Sequence, residues 1–259
     1  MTPERLLILG GTGEGAALAR AVPARFDQRF AVTTALAGRT RRPGPIPGEV
    51  RIGGFGGAAG LMAYLGDAAI DRLIDATHPF AAEISAAARV AAERVGIPRL
   101  VLQRPPWPRH PLDRWIEVED FAGAARAVGR LRGRAWLTVG ARALPAFAGI
   151  EGVHFLVRLI DPPGAKLPLP HCEIVLGRGP FALAEERQLL RRHNIDVLVC
   201  KASGGPATEA KLVAARELGL PVIMVRRPPP EPGPYVESVE AALAWLAGLD
   251  YAPARGSMA

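Results

Sequence analysis

Cysteine, lysine and aromatic residues are all scarce in this chain of 259 residues. Its two cysteines, Cys172 and Cys200, form neither a C-x-x-C pair nor a cluster with histidine. The histidines, His78, His110, His154, His171 and His193, are scattered, so no metal site is expected. Long hydrophobic runs are missing too, and none approaches the roughly 18 residues of a membrane span. A strand begins by Arg5, which leaves no room for a signal peptide. The expectation is a soluble, cytoplasmic protein with reduced thiols and no membrane partner.

Aromatics contribute only 6% against 49% hydrophobic residues overall, so the core is aliphatic. Lysine is confined to Lys166, Lys201 and Lys211, whereas arginine occurs 29 times and the formal net charge is +7. GC-rich coding accounts for Arg in place of Lys by itself. The functional alternative is an anionic ligand, because the guanidinium fork matches carboxylate and phosphate. The arginines are dispersed and not interleaved with aromatics, which argues for a small polyanion and against nucleic acid.

Short apolar segments alternate with helical ones along the chain. Strands are expected at 5–9, 30–36, 49–52, 71–75 and 99–103, with helices near 14–22, 58–66 and 81–95. Four prolines in RPPWPRHP, residues 104–111, interrupt the pattern. It resumes with strands at 115–118, 135–139, 153–160, 173–176, 196–200 and 221–226 and helices near 120–131, 141–148, 181–193, 206–218 and 237–248. Continuous apolar strands separated by helices indicate parallel sheets covered on both faces. The expected fold is therefore α/β, two Rossmann-like doubly wound domains with mainly parallel sheets and an active-site cleft between them. The expected boundaries are 1–104, a Pro-rich linker at 105–111, a second domain at 112–250 and a tail at 251–259.

The stretch LILGGTGEGAALA (residues 7–19) fits dinucleotide binding in two registers, Gly11-x-Gly13-x-x-Ala16 and Gly10-x-x-Gly13-x-x-Ala16. Such glycines let backbone amides approach a pyrophosphate seated on the positive end of the following helix. An ordinary tight turn would need fewer glycines. Glu14 is the exception, because an acid beside a pyrophosphate repels it; it serves the helix N-terminus or faces substrate. The second strand ends in AGRTRR, with Arg39, Thr40, Arg41 and Arg42 and no acid to grip ribose hydroxyls. That composition favours NADP(H) over NAD(H), the alternative being a solvated basic loop. The cofactor set is Gly10, Gly11, Thr12, Gly13, Glu14, Gly15, Arg39, Thr40, Arg41, Gly54 (from GGFGG at 53–57) and Thr77.

DATHPFA (75–81) stands at a strand's carboxyl end, where open α/β sheets place ligands. Asp75 and His78 face substrate there, with His78 able to donate a proton near neutral pH. Alternatively, Asp75 and Thr77 cap the next helix and His78 orders the loop. In the second half, Arg142 follows a strand in VGAR, Arg178 precedes Pro180, and CKASGG sets Lys201, Ser203 and Gly204 in a turn suited to an anion. Arg158, inside the apolar HFLVRLI, needs a partner. Each basic group has a bland alternative as a cap or ion pair. Together they favour a large anionic substrate. No Tyr-x-x-x-Lys dyad, nucleophile elbow or P-loop is present, which suits hydride transfer to a conjugated C=C or C=N system.

LILGGTGEGAALA, GGFGG, IDATHPFAAEIS, LTVGARAL, GRGPF and KASGG…TEAKLVAARELGLPVIMVRRP resemble, in order and spacing, the precorrin-6A reductase family of cobalamin biosynthesis. The resemblance covers nearly the whole chain. It implies an NADPH-dependent reductase that saturates one ring double bond of precorrin-6A to give precorrin-6B. The substrate would be a polycarboxylate tetrapyrrole, with neighbouring enzymes of the pathway as further partners. The proton then comes from water or from a side chain, for which His78 and Lys201 are the candidates; Ala202 stands where relatives often carry a polar residue and removes a side chain from that role. The rivals are cobalt-precorrin-6A reductase of the anaerobic branch, a non-catalytic NADP(H)-sensing Rossmann protein, and a reductase of another conjugated anion.

Overall fold

A computed structural model describes residues 2–38 and 44–248. The chain begins with β1 (Glu4–Leu9), α1 (Gly13–Phe26), β2 (Phe30–Leu36), β3 (Glu49–Ile52), α2 (Gly57–Asp67), β4 (Arg72–Asp75), α3 (Ala82–Val95) and β5 (Arg99–Leu102). It continues with β6 (Trp115–Val118), α4 (Phe121–Leu131), β7 (Gly133–Leu137), β8 (Val153–Leu159), β9 (Cys172–Leu176), α5 (Leu183–Arg192), β10 (Val197–Lys201), α6 (Ala210–Glu217) and β11 (Val222–Val225). The last elements are β12 (Tyr235–Val236) and α7 (Val239–Ala247).

Two six-stranded sheets result, ordered β12-β5-β4-β1-β2-β3 and β6-β11-β10-β7-β8-β9, and every pairing within them is parallel. Read from β3, the first sheet has the 3-2-1-4-5-6 order of dinucleotide-binding folds. The second repeats 3-2-1-4-5 from β9 to β11 and adds β6 outside it. Each sheet thus takes its sixth strand from a segment that follows a crossing of the chain.

That exchange corrects the expected boundary of the second domain. One compact unit comprises the chain up to Pro105 together with Pro228 onward, and the other is Pro106–Arg227. Residues 228–248 therefore belong with the first sheet and not with the second. Val101 N donates to Pro234 O at 2.9 Å and Gln103 N to Val236 O at 3.0 Å, which fixes β12 beside β5. Arg89 Nε donates to Glu231 Oε2 at 2.9 Å, and the Tyr235 hydroxyl donates to Gln103 O at 2.9 Å.

Alternation along β1 explains the layering of the first unit. Leu6 and Ile8 face α1 and α7, packing with Leu18, Val22 and Leu246. Leu7 and Leu9 face the opposite way, onto Leu61 and Leu65 of α2 and Ala88 and Ala91 of α3. In the second unit Trp136, Leu156, Leu198 and Met224 pack against Leu190 of α5 and Leu212 of α6. The expected helix near 141–148 is a 3-10 segment, Ala141–Phe147, containing Pro145, whose missing N–H cannot join an α-helical ladder. Residues 206–218 likewise split into a 3-10 turn, Pro206–Thr208, and α6. Among the described residues no helix is long and apolar enough to cross a membrane.

Candidate functional site

The first sheet reverses its strand order between β1 and β4, which pair with Leu9 opposite Asp75. The loops at Gly10–Thr12 and Ala76–Ala81 leave these adjacent carboxyl ends, the position at which open α/β sheets bind ligands. Thr12 joins them. Its Oγ1 donates to Ala76 O at 2.7 Å and, as the N-cap of α1, accepts from Gly15 N at 3.1 Å. The glycines divide into two classes. A Cβ on Gly10 would lie 3.0 Å from Thr34 Cγ2, and one on Gly15 would lie 3.2 Å from Ala76 Cβ, so these two permit close packing. Gly13 and Gly11 would meet nothing within 4 Å, and Gly11 has φ +110°, which L side chains rarely adopt. The loop is therefore open on its outer side and closed on its inner side. That form fits a pyrophosphate approaching backbone amides at the start of α1.

Asp75 is buried, with Oδ1 accepting from Thr77 N at 3.1 Å and from Thr77 Oγ1 at 2.7 Å. Ser85 Oγ lies 3.2 Å from Thr77 Oγ1; because the threonine proton goes to Asp75, the serine is the donor. The cap of α3 is Ala81, with no side-chain hydrogen bond, so neither Asp75 nor Thr77 caps that helix. Half-buried His78 accepts the Phe80 amide on Nδ1 at 3.1 Å, which places the proton of the neutral ring on Nε2. Asp75 Oδ2 accepts no hydrogen bond among the described residues. Beside it lies a cavity of about 20 Å³ lined by Ser85, Gln103 and Glu231, large enough for one water-sized occupant and no more.

Glu14 forms an ion pair with Arg104, Oε2 to Nη1 at 2.7 Å. Arg51 donates to Gly53 O at 2.8 Å and Gly54 O at 3.1 Å while its guanidinium stacks 4.0 Å from the Phe55 ring centroid. A Cβ at Gly60 would lie 1.7 Å from Phe55 O, so glycine in α2 lets this loop fold back on the helix. Arg39, Thr40 and Arg41 lie outside the described residues.

The second sheet reverses between β7 and β10. Lys201 ends β10, and the loop behind it is clamped through its carbonyls. Arg227 Nε donates to Ala202 O at 2.6 Å and Nη2 to Ser203 O at 2.9 Å, while Trp107 Nε1 donates to Gly205 O at 2.8 Å. Ser203 is buried and Gly204 has φ +67°. Arg142, following β7, and Arg178, following β9, are exposed. Arg158 does not join them. Its Nη1 and Nη2 donate to Glu186 Oε2 and Oε1 at 2.9 and 2.7 Å, between the rings of Trp136 and Phe181 at 4.5 and 4.0 Å. The expected substrate role of Arg158 is corrected accordingly: a side chain only 9% exposed, paired with a carboxylate 1% exposed, is a structural charge.

Residues 5–247 match the family model described as Precorrin-6x reductase CbiJ/CobK. The chain belongs to the precorrin-6x reductase family. It is 50% identical over 246 residues to a precorrin-6A reductase of Rhodococcus erythropolis, covering 95% of this chain and 98% of that one. A cobalt-precorrin-6A reductase of Priestia megaterium is 28% identical over 246 residues, covering 91% and 95%. The solved structure of CobK precorrin-6A reductase superposes with a TM-score of 0.89 at 42% identity, covering 97% of this chain and 99% of that one.

In this family member the structure gathers Gly10 to Gly15, Asp75, Thr77 and His78 at one strand-order reversal. Lys201, Ser203 and Gly204 gather at the other, with Arg142 on the neighbouring strand end. Sequence reasoning missed Arg51, Arg104 and Arg227, which act through backbone carbonyls or one carboxylate. Their only signal was abundance of arginine, and abundance does not say which strand end each side chain reaches.

Proposed function

We propose that this protein reduces one ring double bond of precorrin-6A to give precorrin-6B in cobalamin biosynthesis, with NADPH as reductant. The supporting observation is the first sheet's loop, where Gly11 and Gly13 leave the amides ahead of α1 open in a chain of this family. NADPH, when bound, supplies a hydride to a ring carbon. The chain's part is to hold and orient. Gly10 to Gly15 receive the pyrophosphate, Gly54 and Thr77 border it, and Arg39, Thr40 and Arg41 select the 2′-phosphate. Arg142, Arg178 and Lys201 pair with substrate carboxylates, with Ser203 and Gly204 shaping the turn behind Lys201. The single proton for the neighbouring ring carbon comes from water or from one of two side chains, His78, with hydrogen on Nε2, or Lys201. Asp75 acts by holding Thr77 and so the His78 loop, since its carboxylate is buried.

Mixing protein, NADPH and precorrin-6A should give loss of nicotinamide absorbance with formation of the dihydro product; a folded protein that gives no turnover overturns the reading. The 50% identity to a precorrin-6A reductase, against 28% to a cobalt-precorrin-6A reductase, favours the metal-free substrate. Parallel assays with metal-free and cobalt-loaded macrocycle check that preference. Replacing Arg39 and Arg41 with Ala should raise the NADPH KM about tenfold and narrow the preference over NADH; unchanged discrimination would remove the second strand's end from cofactor selection.

A further inference from the structure

Glu14 places an acidic side chain on the first turn of α1, one residue past the start of the helix, inside the loop assigned to a pyrophosphate. The helix dipole favours an acid there, but that acid repels a pyrophosphate bound at the same helix start. The structure supplies the missing counter-charge from a distant place in the sequence. Arg104 follows β5, and the sheet runs β5-β4-β1, so β4 lies between Arg104 and the helix that carries Glu14. The contact between Arg104 Nη1 and Glu14 Oε2 at 2.7 Å thus joins the segment that follows β5 to the helix that follows β1. It therefore spans the strand-order reversal whose inner wall is closed by the Thr12–Ala76 hydrogen bond. Both partners are largely withdrawn from solvent, at 16% and 23% exposure, so water screens them weakly.

We infer that Arg104 is a positioning residue for the cofactor site: it neutralises and holds Glu14 so that the Gly10–Gly15 loop can accept the pyrophosphate of NADPH. Glu14 is tolerated in a phosphate loop because Arg104 reaches it. This inference rests on the cofactor reading above. It goes beyond that reading in naming a residue outside every glycine motif as a determinant of cofactor affinity.

The sign pattern of three variants tests it, with NADPH dissociation constants read from nicotinamide fluorescence at low salt. Arg104→Gln leaves Glu14 uncompensated and should weaken NADPH about tenfold. Glu14→Gln removes the acid beside the pyrophosphate and should tighten NADPH a few-fold. The double variant removes both charges and should return to within about threefold of the parent. The weakening in Arg104→Gln should grow as salt is lowered, which a lost packing contact would not do. Circular dichroism and thermal unfolding verify that each variant is folded; Arg104→Lys, which keeps the charge, should stay nearer the parent than Arg104→Gln and serves if that variant misfolds. Weaker binding in Glu14→Gln, or a double variant as weak as Arg104→Gln, overturns the inference and makes Arg104 a direct ligand or a structural tie. If the unmodified protein does not bind NADPH at all, it is the cofactor reading that fails, and the two failures are thereby separate.

Discussion

Arg158 and Glu186 show how a residue can invite two opposite readings. A lone arginine in an apolar strand reads as a ligand contact until its partner is known. Both terminal nitrogens engage Glu186, and two aromatic rings flank the guanidinium. Arg158→Ala strands a buried carboxylate and should lower stability by about 3–5 kcal/mol, measured by urea unfolding. Replacing the pair together, Arg158→Met with Glu186→Leu, should recover most of that loss, because apolar pairs of similar volume commonly match buried ion pairs. A buried thiol carries the second prediction at this scale. Cys200 lies fully inside the second sheet beside Met224 Sδ at 3.5 Å, and burial raises its pKa from 9.0 to about 11. The unfolded chain loses that proton near pH 9 while the native state keeps it. Stability is therefore intact below pH 9 and falls as pH rises towards about 11, by up to roughly 3 kcal/mol. Urea unfolding across that range should show a component that Cys200→Ala lacks.

At the scale of the element, the glycine loop and its neighbour were legible because their signals are local. Four glycines where an apolar strand passes into a helix, and DATHPFA at a strand end, each declare themselves within a few residues. What the motif could not tell is why each glycine is there: Gly10 and Gly15 serve packing, while Gly11 and Gly13 leave space. Thr12 was read as one more cofactor contact, yet its hydroxyl both caps α1 and ties two loops together. Thr12→Ala should cost about 1–2 kcal/mol of stability and raise the NADPH KM, since the cap and the tie fail together. Thermal unfolding and steady-state kinetics on one preparation check both effects. Thr12→Ser, which keeps the oxygen, should restore most of each. The second sheet's equivalent loop was read for Lys201, Ser203 and Gly204, but the clamp by Arg227 and Trp107 was not legible, because its donors come from outside the loop.

At the scale of the molecule, the C-terminal segment is the decisive element. β12 is two residues long, and α7 places Leu243 and Leu246 on the face of the first sheet that carries Leu6 and Ile8. Ending the chain after Arg227 should expose that apolar face and unfold the first unit, with loss of NADPH binding and gain of dye binding to exposed apolar surface. A truncated protein that unfolds cooperatively with the same midpoint would show the segment to be dispensable. By itself the amino-acid sequence determined the parallel α/β alternation, the number of sheets, the glycine loop, the strand-end motifs and the resemblance that the family match bears out. These are properties of residues close together in the chain, written in periodicity and composition. Only the tertiary structure decided that residues 228–248 return to the first sheet, that Arg158 belongs to Glu186, and that Glu14 is answered by Arg104. A two-residue strand joins its sheet through backbone hydrogen bonds that have no side-chain signature, and an ion pair between distant strand ends exists only once strand order is set.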